Sequence, residues 1–199
     1  MKLAVFGAAG ATGRPLVAQA LERGHSVTAF VRSAPGDHSL DGVDRVVTGD
    51  ARNDSAVASA LRGAEAVVSA IRPRGPDPGT VYSNAIGTVA RAMEAAELTR
   101  IVISANSRVL DDRPLEGPYA GVSHEHREAL ACLRASDLDW TVVATPVLTD
   151  DEPVGSYDAS IGARSGGKSI ARPDFAVALL DALDHPDWVG AIVDVSNPT

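Results

Sequence analysis

Apolar positions recur along the chain in two rhythms. Residues 3–6 form a short apolar run ended by Gly7, after which Leu16, Val17, Ala20 and Leu21 fall on one helical face before Gly24 stops it. This predicts a strand, a tight turn and a helix. Residues 26–31, 45–48 and 64–70 read as three further strands, with a helix over 55–61 between the last two. Tyr82, Ile86, Val89 and Met93 recur at helical spacing, and 100–104 is a β-branched run suited to a strand buried on both faces. A helix over 123–135 and a strand over 140–144 follow. Near the end, Phe175, Leu179 and Leu183 share one face of a helix over 174–183, with Pro173 at its start and His185-Pro186 beyond it, before a last strand over 191–195.

Repeated strand–helix–strand units predict an α/β fold: a doubly wound parallel sheet covered by helices on both faces, in three αβα layers. Such sheets bind ligands beyond their strands' carboxyl ends. Two irregular segments, 111–121 and 145–167, each follow a strand and are expected to overhang that edge as substrate-side loops, with a small hairpin turning at Gly166-Gly167.

The chain has 199 residues, 45% of them hydrophobic, which suits a single domain spanning 1–199. With 18 Lys and Arg against 26 Asp and Glu, the net charge of −8 repels nucleic-acid backbones and anionic membrane surfaces, so neither is an expected partner. No apolar run approaches the roughly 18 residues of a membrane helix. The opening MKLAVFGAAG is too short in its apolar part for a signal peptide and reads as the first strand. A lone cysteine, Cys132, excludes an intramolecular disulfide and a CxxC site, and fits a reducing cytoplasm; beside Ala129 and Leu133 it reads as a small core residue.

The most informative motif is GAAGATG, residues 7–13, lying directly after a strand and directly before a helix. Gly7 permits a sharp turn, Gly10 removes a side chain where a pyrophosphate must approach the backbone, and Gly13 allows close packing of helix on strand. The helix N-terminus then faces the anion. This is the context of an NAD(P)-binding Rossmann fold, and Thr12 can add a hydroxyl to a phosphate, ahead of Arg14. Arg32, about 20 residues past the turn at the end of the second strand, can pair with a 2′-phosphate, which favours NADP(H) over NAD(H). A solvated strand-end arginine is the alternative, and nearby Asp37 opposes the phosphate. Asp50, closing VVTGD, can accept from an adenine amino group or cap a turn. Ser69, Ala70 and Ile71 are expected beside the cofactor, where small or apolar side chains let it pass. Ala9 and Ala11 in the turn, Ala51 beside Asp50, and Pro146 after the sixth strand complete the expected cofactor contacts.

In this order, GAAGATG, Arg32, Gly49-Asp50 and HREALACLRASDLDWTVVATP resemble the atypical short-chain dehydrogenase/reductases, over nearly the whole chain. Within them the chain looks most like the NAD(P)H-binding group that contains flavin reductase/biliverdin reductase B and the NmrA-like proteins. Ordinary members use Ser, Tyr and Lys to polarise a carbonyl and deliver a proton. Laid on that pattern, IVISANS places Asn106 at the usual serine with Ser104 two residues earlier, while His126 falls at the usual lysine and Val122 at the usual tyrosine. The resemblance therefore implies Ser104, Asn106 and His126 as the catalytic candidates, with Ser104 and His126 also touching the cofactor, and no acid at the tyrosine position. Tyr119 is the nearby phenol, with loop packing as its default role, and a surface helix position is the alternative for His126.

His124-Glu125-His126 does not make a metal site, because residues two apart on a helix point away from each other. Asp150, Asp151 and Glu152 read as a solvated acidic rim. Tyr82, Tyr119 and Tyr157 are the candidates for stacking on a ligand. The outer face of the 123–135 helix, with Glu125, Arg127, Glu128 and Arg134, reads as charged and favours a monomer.

Two functions follow. One is an NADPH-dependent oxidoreductase that reduces a flavin, a quinone or a similar small conjugated acceptor by direct hydride transfer. The other is a non-catalytic NADP(H) redox sensor of the NmrA-like kind, whose partner is a protein. An epimerase or dehydratase of nucleotide sugars ranks behind both, since it calls for the tyrosine and a larger substrate region.

Overall fold

The computed structural model describes residues 1–33, 40–73, 75, 78–111, 116–117 and 119–198. Along the chain run β1 (Lys2–Phe6), α1 (Gly13–Glu22), β2 (Ser26–Val31), β3 (Arg45–Thr48), α2 (Asp54–Leu61), β4 (Ala66–Ser69), α3 (Val81–Ala95) and β5 (Arg100–Asn106). There follow α4 (Ala120–Arg134), β6 (Asp139–Thr145), β7 (Leu148–Thr149), β8 (Asp158–Ile161), β9 (Ile170–Ala171), α5 (Arg172–Asp184) and β10 (Ala191–Ser196). Every strand and helix expected from periodicity is present, with ends moved by a few residues.

Eight strands form one sheet in the order β3-β2-β1-β4-β5-β6-β10-β8. From β1 the chain winds outward through β2 to β3, then returns to the other side of β1 and winds through β4 and β5 to β6. The direction of winding therefore reverses between β1 and β4, and a crevice opens at their carboxyl ends. Alternation along each strand divides the core between the two faces. Phe6, Ile101, Ile103 and Val142 pack with α2, α3 and α4, whereas Leu3, Val5, Val102 and Val143 pack with α1 and α5. Fully buried side chains such as Ile86 and Leu16 contribute about 1.5–3 kcal/mol each by leaving water.

The segment 145–167 departs from its irregular reading. It contains β7, which pairs in parallel with β9, and β8, which pairs antiparallel with β10 from Asp158↔Ser196 to Ile161↔Val193. The sheet is thus mostly parallel with one antiparallel edge. Gly166-Gly167 does not turn a hairpin, because the partner of β8 is β10; Gly167 instead packs so closely on Ser196 that a Cβ would lie 2.3 Å from its Oγ. Two buried carboxylates pin this segment. Asp174 accepts the Val154 and Gly155 amides and the Asn197 side-chain amide, and Asp194 accepts the Ser165 amide and hydroxyl and the Ser107 hydroxyl.

Of the other expected loop, 112–115 and 118 lie outside the described residues, and its end belongs to α4, which begins at Ala120. Two assignments on α4 are corrected. Cys132 is exposed, since Ala129, Leu130 and Leu133 take the buried stripe. Glu125, read as part of a charged outer face, is fully buried, because its carboxylate meets the first turn of α3.

Candidate dinucleotide site

Gly7 leaves β1 with φ +79°, and its amide and that of Ala8 donate to Phe30 O at 3.1 and 3.4 Å. A Cβ on Gly7 would stand 3.0 Å from Ala70 C and Ile71 N, so the turn lies directly against the end of β4. The chain then closes on itself, Gly10 N–H donating to Gly7 O at 2.9 Å. Gly13 has the least room of the three: a Cβ there would lie 2.0 Å from Gly7 O and 2.7 Å from Ala8 O. It serves the turn itself more than the contact of helix with strand. The amides of Ala11, Thr12 and Gly13 find no acceptor among the described residues, as expected of the first turn of a helix. Thr12, the N-cap of α1, makes no side-chain cap bond, so its hydroxyl remains available. These unpaired donors and the bare Cα atoms form a cradle that fits a pyrophosphate. Arg14 instead donates from Nε to Ala9 O at 3.2 Å, outside the cradle.

The cradle opens into a cleft of about 640 Å³. Of the expected cofactor contacts, Gly7, Ala9, Gly10, Ala11, Thr12, Arg32, Asp50, Ala51, Ala70 and Ile71 line it. Gly13 and Ser69 do not; both are buried, and Ser69 Oγ accepts the Ile71 amide at 3.4 Å. Arg32 is exposed at the end of β2 and has no hydrogen-bonded partner among the described residues, while Asp37 lies outside them. Asp50 caps a turn: it accepts the Arg52 amide at 2.9 Å and the Arg52 guanidinium. Those bonds to Arg52 hold its carboxyl at about 2, well below the usual carboxylate range.

Three further guanidinium groups line the cleft, those of Arg52, Arg72 and Arg172. A chain of net charge −8 thus concentrates cations at its sheet edge, which draws anions to it. Arg172, at the start of α5, is paired with Asp150 at 2.6 Å, so that member of the acidic rim carries an ion pair. The signal was available in the sequence: Arg32, Arg52 and Arg72 each follow one of the strands β2, β3 and β4.

Ser104, Asn106 and His126 come together at the end of β5, although none of the three, nor Pro146, lines the cleft. Ser104 Oγ donates to Ile71 O at 3.3 Å. Asn106 donates its amide N–H to His126 Nδ1 at 3.4 Å and its Nδ2 to Ser123 Oγ at 3.1 Å. His126 is buried, not on the surface, and burial lowers its pKa to about 4, so the ring is neutral with its proton on Nε2. His124, two residues earlier, is exposed, so the two imidazoles lie on different sides of α4.

Of the three tyrosines expected as stacking candidates, Tyr82 is the one that lines the cleft. Its helical spacing marks it as core, and it is 1% exposed, yet it lines the cleft and its O–H donates to Ser104 O at 2.9 Å. His126 meets its ring edge-on, with centroids 5.0 Å apart. Burial, helped by the Glu125 charge, pushes the Tyr82 phenol far above its ordinary range. Tyr119 is 66% exposed, and Tyr157 donates to Asp181 at 2.7 Å away from the cleft.

A glycine turn between β1 and α1, donors without acceptors at the helix start, and a cationic cleft at the reversal of strand order define a Rossmann-type dinucleotide-binding protein. The chain belongs to the NAD(P)H-binding family, whose model matches residues 7–186, and NAD(P)H is its cofactor. Its sequence is 27% identical to the Bacillus subtilis protein YwnB over 207 residues, covering 94% of each chain. Its fold is similar to that of ChuY, an anaerobillin reductase from Escherichia coli O157:H7, with TM-score 0.84 and 24% identity over 100% of this chain and 98% of that one. It is also similar to a short-chain dehydrogenase/reductase from Veillonella parvula in complex with NADP, with TM-score 0.80 and 18% identity over 99% and 94% of the two chains. Among the described residues no helix is long and apolar enough to cross a membrane.

Proposed function

We propose that the chain is an NADPH-dependent reductase that passes hydride directly to a flat conjugated acceptor, such as a flavin or a quinone, without a Ser-Tyr-Lys set. The observation that carries this reading is the state of the Tyr82, Ser104 and Tyr119 hydroxyls. Tyr82 donates to Ser104 O, Ser104 donates to Ile71 O, and Tyr119 stands on the surface. Their protons are engaged within the fold or remote from the cleft, so the site suits a reaction that needs little acid from the enzyme.

NADPH supplies the hydride when bound. An acceptor that takes the hydride and a further proton from water asks the chain mainly to hold two flat rings in contact. Arg32, hydrogen-bonded to no other described residue, supports the choice of NADPH over NADH. The reductase name borne by ChuY agrees with this reading. The partners are then the dinucleotide and one small acceptor, and a monomer suffices.

Anaerobic stopped-flow measurement of NADPH absorbance, with and without flavins and quinones, tests the proposal. The expected result is NADPH oxidation that depends on acceptor. Tight NADPH binding with no oxidation across the panel overturns it and favours the redox sensor.

A further inference from the structure

Arg172, the first residue of α5, lines the dinucleotide cleft and uses only one edge of its guanidinium. Its Nε donates to Asp150 at 2.6 Å, while Nη1 and Nη2 bond no other described residue. The short β7–β9 ladder brings the two together, since Thr149 is the register partner of Ala171 and the ion pair is formed by the residue that follows each. The partners are unequal: the Arg172 side chain is 21% exposed and that of Asp150 is 82% exposed. An ion pair with so exposed a partner adds little to stability.

That inequality decides which partner can leave. The carboxylate returns to water at little cost, whereas the guanidinium, carried by the first turn of α5, stays at the cleft. A phosphate takes two parallel N–H···O bonds from a guanidinium, more than the single bond Asp150 receives. The place of Arg172 in the fold selects the phosphate. α5 packs on α1 and on β5, whereas Arg32 ends β2 on the other side of β1. The 2′-phosphate therefore belongs to Arg32, and the pyrophosphate at the start of α1 is the anion on the side of Arg172.

Beyond Asp150 the chain forms a strap. Asp151, Glu152 and Pro153 are exposed and bond no other described residue. The next anchors are the Val154 and Gly155 amides, both on Asp174. Asp150 is thus the clip at the near end of the strap.

We propose that Asp150 is the resident counter-ion of Arg172 and acts as a latch: the dinucleotide pyrophosphate displaces it, and the strap 150–153 is released as the cofactor binds. The inference rests on NAD(P)H binding and not on the reductase reading. Opening the latch lowers the observed cofactor affinity, so neutralising Asp150 raises it.

Equilibrium titrations of the full chain with NADP⁺ and with NAD⁺ test this without turnover. Asp150→Asn, an exposed and nearly isosteric change, is expected to tighten both cofactors by about threefold. Arg172→Gln is expected to weaken both by the same factor, about tenfold or more, and to abolish the effect of Asp150→Asn in the double variant. A dye on Glu152→Cys, in a Cys132→Ser background, reports on the strap. Its anisotropy is expected to fall when NADP⁺ is added, and in Asp150→Asn to be low from the start. Unchanged or weaker binding in Asp150→Asn overturns the latch, as does a strap signal that ignores NADP⁺. A loss in Arg172→Gln confined to NADP⁺ overturns the assignment to the pyrophosphate.

Discussion

Glu125, fully buried on α4, accepts the Tyr82 amide at 2.9 Å and so caps the N-terminus of a different helix. The same oxygen takes the Ser83 amide at 3.0 Å and the other oxygen takes the Ser83 hydroxyl. Thr80, the N-cap of α3, supplies no side-chain cap, so the carboxylate satisfies donors that would otherwise be orphaned and lies favourably in the field of the helix. It also sets the position of Tyr82 at the cleft. Glu125→Ala is expected to lower stability by about 3 kcal/mol and to weaken NADPH binding. Urea unfolding and a cofactor titration check the two effects.

His126 makes stability depend on pH. Burial lowers its pKa from 6.5 to about 4, so an unfolded chain takes up a proton on this ring before the folded chain does. The contribution is therefore intact above about pH 6.5, declines as pH falls from there to about 4, and changes no further below. The difference between the two values corresponds to about 3 kcal/mol. In His126→Gln, which keeps an acceptor for the Asn106 amide, the loss of stability between about pH 7 and about pH 4 is expected to shrink by up to that amount. Urea midpoints across that range measure it, and parallel curves for parent and variant contradict it.

The inner sheet was legible because its strands are runs of apolar residues with a turn at each end; β2 at Ser26–Val31 and β3 at Arg45–Thr48 fall where periodicity puts them. The strand β8 was not, since Asp158–Ile161 is mostly exposed and owes its form to the ladder with β10. Buried acids were illegible for a related reason. In sequence, Glu125 reads as solvated, and the donors that bury it lie more than 40 residues away. The glycine turn was legible because most of its contacts are local or with β2, although the close approach of Gly7 to the end of β4 and the packing of Gly13 on the turn itself came only with the structure. The far side of the cleft could not, because the phenol of Tyr82 reaches its acceptor only once α3 has packed on β5.

Two helical glycines should respond oppositely to alanine. At Gly13 the new Cβ would meet Gly7 O at 2.0 Å, backbone that cannot give way without opening the cradle. Gly13→Ala is expected to destabilise by about 3 kcal/mol and to abolish cofactor binding. At Gly87, inside α3, a Cβ would find Arg91 and the Cys132 sulfur at 3.6 and 3.7 Å, ordinary contact distances. Gly87→Ala is expected to stabilise by about 0.5–1 kcal/mol through helix propensity. Thermal melts of the two variants against the parent give the signs directly.

Arg32 can be tested without knowing the acceptor. Its guanidinium lines the cleft at the end of β2 and is hydrogen-bonded to no other described residue, whereas Arg52 and Arg172 are already engaged by Asp50 and Asp150. A fork of donors that bonds no other described residue suits the 2′-phosphate that separates NADPH from NADH. Arg32→Ala should weaken NADPH binding by about 1.5–3 kcal/mol and leave NADH nearly unchanged, so that the two affinities converge. Because the contact is electrostatic and exposed, the advantage of NADPH in the parent should also shrink as salt is raised. Equal losses for the two cofactors would place the 2′-phosphate elsewhere, with Arg52 and Arg72 as the next guanidinium groups to replace.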